Sequence, residues 1–165
     1  MNQNLLTRIE LICEEQKAFL RKLTYFIVSV FLITNFSSFD IGTGSLRYKY
    51  FISISLVNPK KGDYVVIAGH DTKYFSGIEF IKKIIGEEGD SIIIEDNKIY
   101  INQELVGNIL TNTKDNKPLH SIKAQIIPKN YVFVAGEHER SFDSRYEEFG
   151  LVKREAIKAR SFALW

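Results

Sequence analysis

Apolar residues are spaced in two ways along the chain, and the change of spacing divides it. In residues 1–22, Leu5, Ile9, Ile12 and Leu20 recur at loose helical intervals among Arg8, Lys17, Arg21 and Lys22, which predicts a helix. From Leu23 charge disappears, and residues 23–39 carry none before Asp40. That run of 17 residues (23 to 39) is at the short end of what a spanning helix needs. Beyond residue 42 the period is two. Residues 51–57 alternate Phe51, Ser53 and Ser55 with Ile52, Ile54 and Leu56, the mark of a half-buried strand. Further strands are predicted over 64–68, 80–85, 91–95, 98–102, 121–127 and 131–135. Turns separate them: Pro59 and Gly62 shape 58–63, and Asp96-Asn97 suits a two-residue hairpin. Residues 128–130 would join 121–127 to 131–135 as another hairpin. Polar residues 107–120 read as a flexible loop, 155–159 as a helical turn and 162–165 as a last apolar strand.

The pattern predicts a mainly β protein: an antiparallel β domain over 42–165, with 91–127 as a hairpin and loop insertion. Ahead of it stand a transmembrane anchor over 23–41 and a cytoplasmic segment over 1–22. Arg21 and Lys22 abut the apolar run, and basic flanks stay on the cytoplasmic side. A cleaved signal peptide would need small residues close behind the run. Only Gly42-Thr43-Gly44 offers them, rather far downstream, so an uncleaved anchor is the better reading.

Composition narrows the chemistry. A net charge of +2 with scattered basic residues gives no nucleic-acid footprint. The single cysteine, Cys13, excludes an internal disulfide and a cysteine-based metal cluster. His70, His120 and His138 lie far apart, so no metal and no cofactor is expected.

Three stretches carry reactive groups. In Phe80-Ile-Lys-Lys-Ile-Ile-Gly86 two lysines interrupt an apolar strand, and at least one shares an apolar face. Burial disfavours an ammonium, and a neutral lysine amine is a general base or nucleophile. Periodicity does not choose between Lys82 and Lys83, and both could instead be gatekeepers on an edge strand. In Gly42-Thr-Gly-Ser45 two glycines bracket Thr43 just before a serine, where backbone N–H groups could approach a substrate atom; a plain linker has the same composition. Residues 136–146 form a polar loop with Asp143 and Arg145 two residues apart.

In this order behind one anchor, the three stretches resemble type I signal peptidases. The matching blocks are Ser45, Lys61-Gly62-Asp63 at a strand start, Ile81-Lys82-Lys83-Ile-Ile-Gly86-Glu-Glu-Gly89-Asp90, and Gly136 through Ser141-Phe142-Asp143-Ser144-Arg145. Compact size and the aromatic stretch after Ser45 are more similar to the conjugative-transfer branch than to the housekeeping one. The resemblance implies Ser45 as nucleophile and Lys82 as general base. It implies an oxyanion hole from Thr43 and the Ser45 N–H, Ser141 bonded to the base amine, and Asp143 with Arg145 as a supporting ion pair. An extended substrate would pair with strand edges near Gly42, Gly44, Phe80 and Ile81. The substrate would be an exported preprotein or a prepilin, and the partners a lipid bilayer and a conjugation or secretion apparatus. The location would be a bacterial cytoplasmic membrane, single-pass, with the β domain outside.

The chain departs from the family pattern at turns. Arg47 stands where proline is common after the serine, Glu88 where the Gly-x-x-Gly turn usually has proline, and Gly136-Glu137-His138 where Gly-Asp-Asn is usual. Ser53 and Ser55 are rival nucleophiles without flanking glycines. Two other readings remain: a catalytically silent anchored β scaffold, and a self-cleaving repressor-type Ser–Lys protease, which would carry a DNA-binding segment where residues 1–40 offer an anchor.

Overall fold

The computed structural model describes residues 3–42, 44–55 and 58–164, with side chains from residue 14 onward. The chain divides into two units, residues 1–37 and 38–165.

The first unit is one helix, α1 (Gln3–Phe36), continuous through both segments that the sequence pattern separates. Its stretch Glu14–Phe36 has the length and apolar composition to cross a membrane. Phe19, Phe26, Phe31 and Ile33 are all more than half exposed along it. Near its end Thr34 Oγ1 donates to the Val30 carbonyl (2.9 Å) and Asn35 Nδ2 to the Phe31 carbonyl (2.8 Å). The helix ends at Phe36, so it does not fill the uncharged run; β1 (Ser37–Ile41) takes over the last residues of that run.

The second unit has two sheets. β2 (Tyr50–Ile54), β3 (Tyr64–Ile67) and β4 (Phe80–Gly86) come first. β5 (Ser91–Glu95), β6 (Lys98–Ile101), β7 (Glu104–Asn108) and the two-residue β8 (Gln125–Ile126) follow. β9 (Tyr131–Ala135), β10 (Val152–Lys153) and β11 (Ile157–Ala163) complete the set. The larger sheet runs β1-β2-β11-β3-β4-β9-β10, and the smaller runs β7-β6-β5-β8. The strand pairs from β2 onward are antiparallel.

Alternation explains the layers. One face of the large sheet buries Val65, Ile67, Ile84, Val132 and Val134 with Phe149. Phe51, Val66, Ile81 and Ala159 form a second cluster with Leu46. A third cluster packs Ile92, Ile99 and Ile101 of the small sheet with Phe133 and Tyr146. Gly86 lies at this junction, where β4 leaves the large sheet. A Cβ there would sit 2.7 Å from Ile127 Cδ1 and 3.3 Å from Phe133 Cβ.

Several local expectations change. Asp96 and Asn97 both have positive φ, as their hairpin requires, but Asn102 and Gln103 do too. A second tight turn thus starts β7 where a continuing strand was expected. Of the strand predicted over 121–127 only β8 forms, and it pairs with β5, while β9 pairs with β4. The predicted hairpin across 128–130 does not exist. The two runs flank a turn, yet their apolar faces belong to different sheets. The predicted helical turn near 155–159 is a single 3-10 turn (Arg154–Ala156), and the terminal strand starts at Ile157.

Candidate active site

Three chain segments converge on Lys82. The first is β4 itself. Lys82 lies opposite Val65 of β3, between Phe80 and Ile84 on its own face, and is only 3% exposed. Lys83 points the other way. Its side chain is a third exposed, lies 3.8 Å from the Glu137 carboxylate and sits over the Tyr64 ring. Burial, rather than periodicity, separates the two lysines.

The second segment is the loop that carries Ser45. Gly42 N–H closes it on the Lys49 carbonyl at 2.7 Å, and Leu46 plugs into the cluster around Phe51 and Ile81. A side chain at Gly42 would sit 2.8 Å from the Phe51 ring and 2.9 Å from the Tyr48 carbonyl, so glycine is needed there for close approach. Gly44 is exposed, and the space beside its Cα is open. Thr43 lies outside the described residues.

The third is the loop after β9. Lys82 Nζ lies 3.0 Å from Ser45 Oγ and 2.9 Å from Ser141 Oγ. Gly136 makes this convergence possible: a Cβ there would fall 2.2 Å from Ser141 Oγ and 2.7 Å from the Ser45 carbonyl oxygen. The Ser45 carbonyl accepts the His138 N–H at 3.0 Å. Asp143, fully buried, binds Arg145 through both carboxylate oxygens at 2.9 Å and accepts the Gly136 N–H at 2.9 Å. The Arg145 guanidinium also donates to the carbonyls of Asn108, His138, Glu139 and Ser141. It is the internal frame of the loop, with its donors spent on backbone rather than aimed at a substrate.

Electrostatics follow from this packing. Burial lowers the Lys82 pKa from its ordinary 10.5 to about 8, while Asp143 pulls it up and Arg145 pushes it down. At pH 7 roughly one lysine in ten is therefore a free amine. A hydroxyl whose proton a neutral lysine can take is an activated nucleophile. Among the described residues no cluster of His, Cys, Asp and Glu could hold a metal ion.

The sequence-predicted groups Ser45, Lys82, Ser141, Asp143 and Arg145 are thus brought together, although 37 residues separate the first two and 59 separate Lys82 from Ser141. Phe80 and Ile81 precede Lys82 on β4, whose register with β9 stops at Lys83. The rival Ser53 is buried and bonded to Ser161 Oγ at 2.8 Å, while Ser55 is exposed after β2. Two residues at the site escaped the sequence reading, Tyr64 and, beyond its turn role, Glu137. Glu137 accepts the Arg47 N–H (2.9 Å) and the Tyr64 hydroxyl (2.7 Å). No local signal joins positions 47, 64 and 137.

An antiparallel β domain that sets a serine hydroxyl against a buried lysine has the groups a lysine-based serine peptidase requires. Residues 17–165 match the family described as "Signal peptidase, peptidase S26", and the chain belongs to that family. It is 29% identical over 114 residues to a probable signal peptidase I-2 of Synechocystis sp., covering 67% of this chain and 50% of that one. It is 31% identical over 110 residues to signal peptidase I T of Bacillus subtilis, covering 62% and 54%. The chain thus matches about half the length of these relatives. A signal peptidase I structure from Enterococcus faecalis V583 aligns with a TM-score of 0.41 at 22% identity, over 66% of this chain and 98% of that one.

Proposed function

We propose that this chain is a membrane-anchored serine endopeptidase that cuts signal peptides or pilin-type leaders from exported precursors, with Ser45 as nucleophile and Lys82 as general base. The observation that carries the reading is the buried Lys82 amine 3.0 Å from Ser45 Oγ. The neutral amine takes the Ser45 proton as Oγ attacks the scissile carbonyl. Ser141 accepts one Lys82 N–H, which leaves the nitrogen lone pair to face Ser45. Lys82 then gives its proton to the leaving amine, and later activates the water that releases the acyl group. The Ser45 N–H and the Thr43 hydroxyl are assigned to the oxyanion by the resemblance, and one such donor is typically worth about a hundred- to a thousandfold in rate. The β4 backbone from Phe80 to Lys82, beyond the end of its β9 pairing, suits an extended substrate strand near Gly42 and Gly44.

The apolar stretch of α1 supports a single-pass anchor; its basic residues Lys17, Arg21 and Lys22 all lie toward its N-terminal end, which favours the cytoplasmic side for that end and the β domain outside the membrane. Substrate and enzyme would then meet at a bilayer. A role beside a conjugation or secretion apparatus is the narrower reading and rests on the resemblance of the aromatic-rich stretch after Ser45.

Purified full-length protein in detergent, offered a signal-peptide-bearing precursor, tests the reading. Wild type cuts at one site, and Ser45→Ala and Lys82→Ala each lower kcat by at least a thousandfold. Cleavage by Ser45→Ala at the wild-type rate sinks the assignment, and an inert wild type favours the silent scaffold.

A further inference from the structure

Beyond its serine and lysine, the site contains a carboxylate with no role in the chemistry. Glu137 lies on the loop after β9, and its side chain is about a third exposed. One oxygen, Oε2, accepts the backbone N–H of Arg47, two residues past the nucleophile, at 2.9 Å. The other, Oε1, accepts the Tyr64 hydroxyl at 2.7 Å from β3 and faces Lys83 Nζ at 3.8 Å from β4. The next residue, His138, donates its N–H to the Ser45 carbonyl. Two consecutive residues therefore grip both ends of Ser45-Leu-Arg47. Leu46, between those grips, is buried on the Phe51 cluster.

We propose that Glu137 is a positioning residue that staples the Ser45 loop to β3 and β4 and so sets the distance from Ser45 Oγ to Lys82 Nζ. This rests on the endopeptidase reading above. The lysine is fixed in a packed strand, whereas the serine is on a loop without a strand of its own. An error in placement falls on the serine side, and misplacement by about 1 Å can cost about a hundredfold in rate. Burial works against the Glu137 charge, but the Tyr64 hydroxyl, the Arg47 N–H and the nearby Lys83 and Arg47 charges hold its carboxyl below the ordinary value. It is therefore ionised wherever the lysine is neutral. Glu137 does not figure among the charges that set the Lys82 pKa, which are Asp143 and Arg145. Its removal should lower the rate without moving the pH midpoint.

Full-length Glu137→Ala, Glu137→Gln and Tyr64→Phe are compared with wild type in two measurements. The first is steady-state cleavage of a signal-peptide precursor across pH 6–10. The second is amide hydrogen exchange of the peptides covering residues 44–50, which needs no activity. The proposal expects Glu137→Ala to lose about tenfold to a hundredfold in kcat, with KM within about twofold and the same midpoint. It expects exchange over 44–50 to quicken at least tenfold while β4 is unchanged. Glu137→Gln keeps an acceptor for the Arg47 N–H and should recover to within about threefold. A wild-type kcat in Glu137→Ala, or unchanged exchange over 44–50, overturns the proposal. Should Glu137→Ala fail to fold, Tyr64→Phe removes one anchor and should lose about threefold to tenfold in kcat; no loss counts against the staple. Wild type that never cleaves, with faster exchange in Glu137→Ala, defeats the endopeptidase reading and leaves the staple standing.

Discussion

An ammonium at Lys82 must leave water for a site that is only 3% exposed, and that one fact controls both reactivity and stability. With a pKa held down at about 8 by burial, the amine is mostly charged at pH 7 and mostly free at pH 9. The rate should therefore climb about tenfold between pH 7 and pH 9 with an apparent midpoint near 8. A profile flat from pH 6 to 10 would remove lysine as the base. The linkage has a definite sign. A base whose folded pKa lies below its unfolded value binds fewer protons when folded, so stability rises with pH between the two. Below about 8 both states are charged and the penalty is full; above about 10.5 both are neutral and it is gone. Wild type should thus gain about 3 kcal/mol on Lys82→Met across that window. Denaturant melts of the two proteins at pH 7 and pH 10.5 measure this, and a constant difference would mean that the lysine is not buried as described.

At the scale of elements, precision comes from loops tied to strands. β4 supplies a rigid base, and the loop from Gly136 to Arg145 supplies Ser141 and the contact with Ser45. Gly136→Ala should be severe, because the new methyl group would meet the Ser45 carbonyl, a backbone atom held by His138. About 1–3 kcal/mol of stability and at least a tenfold loss of kcat are expected from a thermal melt and a cleavage assay. Asp143→Ala leaves the buried Arg145 charge without its partner and should destabilise by about 3–5 kcal/mol. Asp143→Ala/Arg145→Met, which removes both charges, should cost less than Asp143→Ala alone. If the double variant is the worse of the two, the pair contributes more than mutual compensation. The turn departures have partners of their own: Glu88 accepts the Asn130 N–H, and Glu137 accepts the Arg47 N–H that a proline would lack.

At the scale of the molecule, two units differ in what solvates them. Unit 38–165 buries its apolar clusters within its own sheets, whereas α1 exposes Phe19, Phe26, Phe31 and Ile33. A fragment 38–165 should therefore melt cooperatively within about 3 °C of the full chain, while the full chain resists carbonate extraction from membranes. Release of the full chain by carbonate would count against an anchor. An unfolded fragment would mean that the β domain needs the first unit.

How much was legible in the sequence differs by element. Period two made the antiparallel β class readable, since alternate burial on a pleated strand depends only on residue order. Asp96-Asn97 announced its hairpin because side chains that tolerate positive φ are rare. The uncharged run announced a long apolar helix by length alone. Sheet membership was not readable. Residues 121–127 and 131–135 have compatible patterns and a turn between them, yet pair in different sheets, because pairing depends on which apolar faces meet. Between Lys82 and Lys83 the local pattern was silent, and only the resemblance chose. The tertiary structure separates the two by burial, with Lys82 opposite Val65 and 3% exposed and Lys83 near Glu137 and a third exposed. The sequence by itself determined which reactive groups exist and the class of scaffold that carries them. Their meeting within 3.0 Å, and the lysine pKa that follows from burial, belong to packing across the chain, which no local spacing encodes.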